Sequence, residues 1–193
     1  MSNSFVDYYQ NNGISPVHQD ISNRESHFQR RSNLFKVLGL SPNLLRGKTI
    51  AEFGPGSGHN SIFKASLAPQ RYVLIDGNRI GLEETLNMLK PYQDIDIESH
   101  LCLFQDFKTD ERFDLVWAEG CIPHQQFPNS ITESISKFVK PNGNLVLTCL
   151  SGVSYLSEIM RRVVFMRSIE DNDMTVLEKL NHCRPFMESH LST

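Results

Sequence analysis

The chain has 193 residues, enough for one domain with a good hydrophobic core and too few for two comfortable ones. It carries 19 Lys and Arg against 22 Asp and Glu, a net charge of −3, and its basic doublets are isolated, so the composition predicts neither a nucleic-acid nor a membrane partner. With no apolar run of membrane-spanning length and no signal peptide at residues 1–4, we expect a soluble, cytoplasmic protein.

The cysteines and histidines do not form a metal-binding pattern. The 4 cysteines are far apart and include no C-x-x-C pair, and no spacing of His and carboxylates suggests a metal site. We therefore expect free thiols and no bound metal.

Residues 1–40 are polar, with scattered aromatic side chains. Phe5, Tyr8 and Tyr9 are spaced for one face of a helix, and a second helix is predicted to end at Gly39. Between the two helices, residues 16–20 include His18 and Asp20 and are dense in groups that exchange protons. This run is either an ordinary loop with an Asp cap or part of a binding site.

Residues 49–60 combine an apolar strand, a carboxylate at Glu52, a glycine-rich turn and the start of a helix at about residues 59–68. Glycines at alternate positions, Gly54, Gly56 and Gly58, let the backbone turn sharply and approach a bound molecule. The helix that follows directs free N–H groups into the same space. The stretch therefore predicts a cofactor cradle.

The spacing of these glycines separates the possible kinds of site. A dinucleotide fingerprint needs a glycine at position 59, where His59 stands. A P-loop needs Gly-Lys-Ser/Thr after the turn, whereas this chain has Gly58-His59-Asn60. A nucleophile elbow at Ser57 needs glycines at positions 55 and 59, where Pro55 and His59 stand. The remaining pattern, acid-x-G-x-G-x-G from Glu52 to Gly58, resembles the class I S-adenosylmethionine-dependent methyltransferases.

Residues 71–76 read as a fully buried parallel strand that ends in Asp76. Asp76 lies 18 residues after Gly58, close to the spacing at which nucleotide-binding α/β folds place an acid on ribose hydroxyls. The alternative is a turn that Asp76 forms with Gly77 and Asn78. A helix at about residues 79–90 follows.

A third strand is predicted at residues 97–104, before Asp106 and Phe107. The resemblance implies that the acid after this strand binds the adenine amino group and that an apolar neighbour packs on the ring. Those roles fall on Asp106 and Phe107. The alternative is a solvated acid beside a core Phe.

Strand four, residues 113–118, opens with an FDLV run that also resembles the family. Glu119 then stands where family members place groups that touch the methionine part of the cofactor. If the methyl acceptor is a hydroxyl, a base helps, with His124 the first candidate and His18 the second. The run Ile122-Pro123-His124 argues against methylation of nucleic-acid bases, because such enzymes usually carry Asp/Asn-Pro-Pro-aromatic here.

The last part of the chain departs from the family pattern. A helix at residues 128–139, a turn at 141–143 and a fifth strand at 144–150 are followed by helices at 153–166 and 174–182. The usual final antiparallel strand pair has no candidate, so either the chain is truncated or its sheet closes differently. The prediction is an α/β fold, a doubly wound, mostly parallel Rossmann-like sheet, with a helical lid (1–40), a cofactor-binding core (41–150) and a helical segment (151–193).

The resemblance implies methyl transfer from S-adenosylmethionine to a small-molecule acceptor, with a hydroxyl oxygen as the expected target. Tyr8, Tyr9 and Asp20 would face that acceptor from the lid. The alternatives are a nicotinamide-dependent oxidoreductase, which conflicts with the glycine spacing, and a non-catalytic partner that kept the fold. The oligomeric state stays open.

Overall fold

A computed structural model describes residues 4–15, 19–123, 125–169 and 174–191. The chain divides into two compact units, Met1–Cys149 and Leu150–Thr193. The second unit contains two helices, α6 (Gly152–Ser168) and α7 (Val176–Leu191). Among the described helices, none has both the length and the apolar character that a membrane span requires.

The first unit is built on a sheet of five parallel strands, in the order β3-β2-β1-β4-β5. The strands are β1 (Thr49–Phe53), β2 (Arg71–Asp76), β3 (Asp96–Leu101), β4 (Phe113–Ala118) and β5 (Val139–Leu147). The chain runs outward from β1 to β3 and then returns to the other side of β1. Ligands of open α/β sheets bind in the crevice that this reversal leaves at the carboxyl ends of the strands.

The helices of the first unit connect these strands or precede them. They are α1 (Ser4–Asn12), α2 (Arg24–Val37), α3 (Ser61–Ser66), α4 (Arg79–Leu89) and α5 (Pro128–Ser136). The Asn78 side chain caps α4, because its oxygen accepts hydrogen bonds from the backbone N–H groups of Ile80 and Gly81. This cap fixes the start of α4 directly after Asp76.

Side chains of the sheet alternate between two hydrophobic clusters, as the period of a strand requires. Phe35 of α2 is fully buried and stacks on Trp117 of β4, with ring centroids 5.1 Å apart. Helix α2 therefore belongs to the core. Within the predicted lid segment, α2 packs in the core, whereas none of the α1 side chains that the structure describes belongs to either cluster.

The structure corrects several predicted boundaries. Strand β5 starts at Val139, inside the predicted helix, and ends at Leu147. The turn predicted at residues 141–143 lies inside β5 as an irregularity. There Asn142 has a φ of 63°, and the register with β4 shifts between Phe113 and Leu115. Strand β3 ends at Leu101, three residues earlier than expected, and α7 continues to Leu191. Within the described residues, β5 is followed only by helices, as the sequence predicted.

Candidate functional site

A cavity of about 220 Å³ lies at the carboxyl ends of β1, β2 and β4. Each strand end contributes to its wall: Glu52 and Gly54 from β1, Asp76 from β2, and Glu119 from β4. Residues from the N-terminal part of the chain also line it, namely Val6, Tyr9 and Gln19. The cavity thus brings together the glycine turn and the acids at three strand ends.

The glycines of the turn are required for two different reasons. All three have positive φ, 72° at Gly54, 61° at Gly56 and 82° at Gly58, a region that favours glycine. A Cβ atom at Gly58 would lie 2.7 Å from the Cα of Thr85, whereas one at Gly56 would meet nothing within 4 Å. Gly58 therefore permits packing against α4, and Gly56 leaves open space in the cavity wall.

Hydrogen bonds at both ends of Gly56 hold the turn in place. Its N–H donates to Oδ2 of Asp76 at 3.3 Å, and its carbonyl accepts from the Thr85 hydroxyl at 2.9 Å. A Cβ at Gly81 would lie 2.6 Å from the Gly56 oxygen, which explains the glycine in the first turn of α4. The two elements that the sequence predicted separately, the turn and Asp76, are therefore in direct contact.

Asp76 is a buried carboxylate, 7% exposed, that faces the cavity. Its Oδ1 accepts from the backbone N–H of Asn78 at 2.8 Å. Burial raises the pKa of Asp76 to about 6, against the lowering effect of the hydrogen bonds from Asn78 and Gly56. A carboxylate has about four acceptor positions, so Asp76 keeps acceptors for hydroxyl groups of a ligand.

Glu52 lines the cavity but is occupied by protein groups. Its Oε1 lies 3.0 Å from Nζ of Lys64, which is fully buried, and its Oε2 accepts from the hydroxyls of Ser61 and Tyr72. Burial lowers the pKa of Lys64, and the charge of Glu52 opposes that effect. Glu52 therefore fixes α3 against β1 and β2.

Glu119 is held by a residue that the sequence analysis did not single out. Both terminal nitrogens of Arg31 donate to it, at 2.7 and 2.6 Å, and Nε1 of Trp117 donates at 3.0 Å. Burial raises the pKa of Glu119, but the Arg31 hydrogen bonds and the charge of Lys64 outweigh burial and hold it below its usual value. Arg31 lies 88 residues from Glu119, so no local pattern could have indicated the pair.

Asp106 and Phe107 do not line the cavity. Asp106 is exposed at the end of a short 3-10 helix, Phe104–Asp106, and Phe107 is buried in the core. The ring of Phe107 packs 5.0 Å from the ring of Phe138. In this part of the chain, the residues that line the cavity are Leu103 and Phe104, which follow the end of β3 at Leu101.

The N-terminal residues reach the cavity through α1. Of the predicted acceptor contacts, Tyr9 lines the cavity, whereas Tyr8 is 44% exposed and Asp20 is exposed, and neither lines the wall. Gln10 of α1 donates to the Gly77 carbonyl at 2.9 Å, and the Asn78 amide donates to the carbonyl of Ile14 at 3.2 Å. Helix α1 is thus attached to the residues that directly follow Asp76.

Both candidate bases, His18 and His124, lie outside the described residues. The histidine that does line the cavity is His59, whose Nδ1 is 2.5 Å from the Ser57 hydroxyl. His27 of α2 donates from Nε2 to the His59 carbonyl at 2.7 Å, and burial lowers the pKa of His27. In the part of the chain that the structure describes, no group of three or more His, Cys, Asp or Glu could hold a metal ion.

Comparison with solved structures indicates the fold. Magnesium protoporphyrin IX methyltransferase from Synechocystis PCC 6803, solved with bound SAM, is 14% identical, with 77% of this chain and 76% of that chain covered and a TM-score of 0.58. The N-methyltransferase NodS from Bradyrhizobium japonicum WM9, in complex with S-adenosyl-L-homocysteine, is 18% identical (76% and 72% covered, TM-score 0.53). Coclaurine N-methyltransferase is 13% identical; 69% of this chain matches it, but only 39% of its own length is spanned (TM-score 0.54).

The family follows from the sequence match. Comparison with curated proteins gives no match. The family model described as a methyltransferase domain matches residues 26–192, which is most of the chain. The glycine turn, Asp76 and the five-stranded parallel sheet agree with that match. The chain therefore belongs to the class I S-adenosylmethionine-dependent methyltransferases.

Proposed function

We propose that this protein binds S-adenosylmethionine and transfers its methyl group to a hydroxyl oxygen of an uncharged small molecule. The observation that carries the cofactor assignment is the contact between the open Gly56 and the buried Asp76 in one cavity wall. Asp76 would accept hydrogen bonds from both ribose hydroxyls, and Gly56 would let the backbone approach the ligand. Leu103 and Phe104 would pack on the adenine ring, and Asp106 would accept a hydrogen bond from the adenine amino group, with Phe107 packed nearby.

The chemistry leaves the protein mainly with positioning. The cofactor supplies an electrophilic methyl group on a sulfonium, so the donor needs no activation. The cavity walls would align the acceptor with that group and exclude water, which together account for most of the rate gain in such a reaction. For proton removal from the acceptor we assign the base to His124, with His18 as the second candidate.

Charge in the cavity supports an uncharged acceptor. Among the described residues that line it there is no Lys or Arg, so an anionic acceptor would find no counter-charge there. Two of its three carboxylates, Glu52 and Glu119, are already paired with buried cations. The remaining polar groups include the neutral side chains of Tyr9, Gln19 and Gln125, which suit a hydroxyl compound.

We further propose that α1 covers the acceptor after it enters. Val6 and Tyr9 line the cavity, and the segment is attached to the end of β2 by the Gln10 to Gly77 hydrogen bond within α1 and by the Asn78 to Ile14 hydrogen bond just after it. A segment that lines the cavity and is anchored at its edge suits a gate. Tyr8 and Asp20 would contact the acceptor only in such a closed arrangement.

The experiment is a transfer assay with cofactor that carries an isotopically labelled methyl group. A deproteinised metabolite extract, a protein fraction and an RNA fraction are each incubated with the enzyme, and labelled products are identified by mass spectrometry. The proposal predicts label on a hydroxyl-bearing metabolite, none in the macromolecular fractions, and none with Asp76→Ala. Label on an amine would refute the oxygen assignment, and label confined to protein or RNA would refute the small-molecule assignment.

A further inference from the structure

The ion pair between Arg31 and Glu119 joins helix α2 to the end of β4, beside the cavity. Arg31 binds the carboxylate with both terminal nitrogens, a geometry that fixes the plane of the carboxylate as well as its position. The Trp117 indole adds a third donor, and its ring lies 6.0 Å from the guanidinium carbon of Arg31. Glu119 is therefore held in one orientation by two separate elements.

Stability alone does not explain this arrangement. Arg31 is buried, and its Nε is a buried side-chain nitrogen for which the described residues supply no hydrogen-bond partner. Buried ion pairs contribute little net stability, and an unsatisfied buried donor is unfavourable. What the arrangement provides is a fixed carboxylate in the cavity wall.

Glu119 lines the cavity and retains one acceptor position in this arrangement. Its Oε2 receives two of the three N–H donors and its Oε1 only one, so a lone pair of Oε1 remains for a ligand. The side chain of Glu119 is 26% exposed, whereas that of Glu52 is 3% exposed. Of these two paired carboxylates, Glu119 is the accessible one.

We infer that Arg31 is a positioning residue, which orients Glu119 so that Oε1 accepts a hydrogen bond from the ammonium group of the cofactor's amino acid. This inference rests on the proposed function, because it assumes a ligand that carries both an adenosine and an amino-acid part. Asp76 would hold the adenosine part, at the end of β2, while Glu119 holds the amino-acid part at the end of β4. Arg31 acts on the second contact only.

Two ligands that share the adenosine part separate this role from a structural one. S-Adenosylhomocysteine carries the amino acid, and 5′-methylthioadenosine has the same adenosine thioether without it. The test variant is Arg31→Lys, which keeps the positive charge but cannot form the two-pronged contact. Arg30→Lys is the matched control, because Arg30 is exposed on the same helix. Dissociation constants are measured by calorimetry for both ligands.

The inference predicts a selective loss. Arg31→Lys should weaken S-adenosylhomocysteine about 3- to 10-fold and leave methylthioadenosine within about twofold, with Arg30→Lys changing neither. An equal loss for both ligands would show a structural role, and no loss would show that the charge alone matters; either result overturns the inference.

Glu119→Gln extends the test if Arg31→Lys does not fold. It removes the ligand-binding charge while keeping the shape of the side chain, so it should also weaken S-adenosylhomocysteine selectively, by about tenfold. An unchanged ratio of the two constants in this variant would overturn the inference by itself. A wild-type protein that binds neither ligand would instead overturn the proposed function, on which the inference rests.

Discussion

Asp76→Asn should stabilise the ligand-free protein while weakening its cofactor binding. Burial raises the pKa of Asp76 from 3.8 to about 6, so the folded state holds the proton more tightly than the unfolded state. Stability should therefore fall as pH rises from about 4 to about 6 and stay lower above that range. A shift of about two pKa units corresponds to about 3 kcal/mol of destabilisation at pH 7.

The asparagine cannot ionise and escapes this cost. Its amide oxygen can still accept a hydrogen bond from the backbone N–H of Asn78. The weaker 3.3 Å hydrogen bond from Gly56 is lost, which reduces the gain in stability by about 1 kcal/mol. We therefore expect Asp76→Asn to raise the free energy of unfolding by about 2 kcal/mol at pH 7 and to give no gain at pH 4. Affinity for S-adenosylhomocysteine should drop about 10- to 100-fold, because a charged acceptor for two hydroxyls is lost.

Urea unfolding of the ligand-free proteins at a series of pH values from 4 to 8 measures the stability difference. Asp110→Asn is the matched control, because Asp110 is an exposed carboxylate outside the cavity wall. It should change neither the pH profile nor the affinity. Parallel pH profiles for the wild type and Asp76→Asn, or a less stable Asp76→Asn at pH 7, would refute the reasoning about the buried carboxylate.

Three further predictions concern the glycine turn, the buried ion pair and helix α1. Gly56→Val should abolish cofactor binding and keep the fold, at some cost in stability from the positive φ, because its side chain would enter open space in the cavity wall. Gly58→Val should lose more stability, because Thr85 blocks its side chain as well. Circular dichroism and calorimetry would separate the two variants, and normal binding by Gly56→Val would place the cradle elsewhere. Lys64→Met should cost about 3–5 kcal/mol in urea unfolding by leaving Glu52 buried without its cation, and a cost under about 1 kcal/mol would contradict the ion pair. Deletion of residues 1–15 should spare cofactor binding and abolish methyl transfer, and full turnover by the shortened protein would show that α1 is not needed.

The features that the sequence predicted best are those fixed by short spacings. The acid-x-G-x-G-x-G turn needs glycine at each position for a local reason, either positive φ or close packing, and that requirement is visible in the sequence. The place of Asp76 in the site was predicted because it ends a buried strand at the right distance from the glycine turn. Together they indicated the family and the kind of sheet, and the family match and the observed strand order confirm both.

The features that the sequence did not predict depend on contacts between distant residues. Lys64 sits in a short helix that gives no sign of burying a charge, and it is buried only because Glu52 faces it from β1. Arg31 reads as half of an ordinary basic doublet until α2 is packed against β4. A local pattern does not contain such pairings.

One strand boundary was predicted wrongly. The sequence predicted β3 as far as residue 104, whereas the strand ends at Leu101, and Leu103 and Phe104 line the cavity. The adenine roles of Asp106 and Phe107 came from the family resemblance and not from the strand end, and they stay predictions. Strand boundaries are the least reliable part of a sequence-based prediction.

We propose that this chain holds a sulfonium-type methyl donor between the glycine turn and Asp76. Calorimetric titration of the full chain with S-adenosylhomocysteine and, separately, with NAD tests this proposal. We expect binding of S-adenosylhomocysteine at one site, weakened by Asp76→Asn, and no heat with NAD. Heat with NAD and none with S-adenosylmethionine or S-adenosylhomocysteine would contradict it.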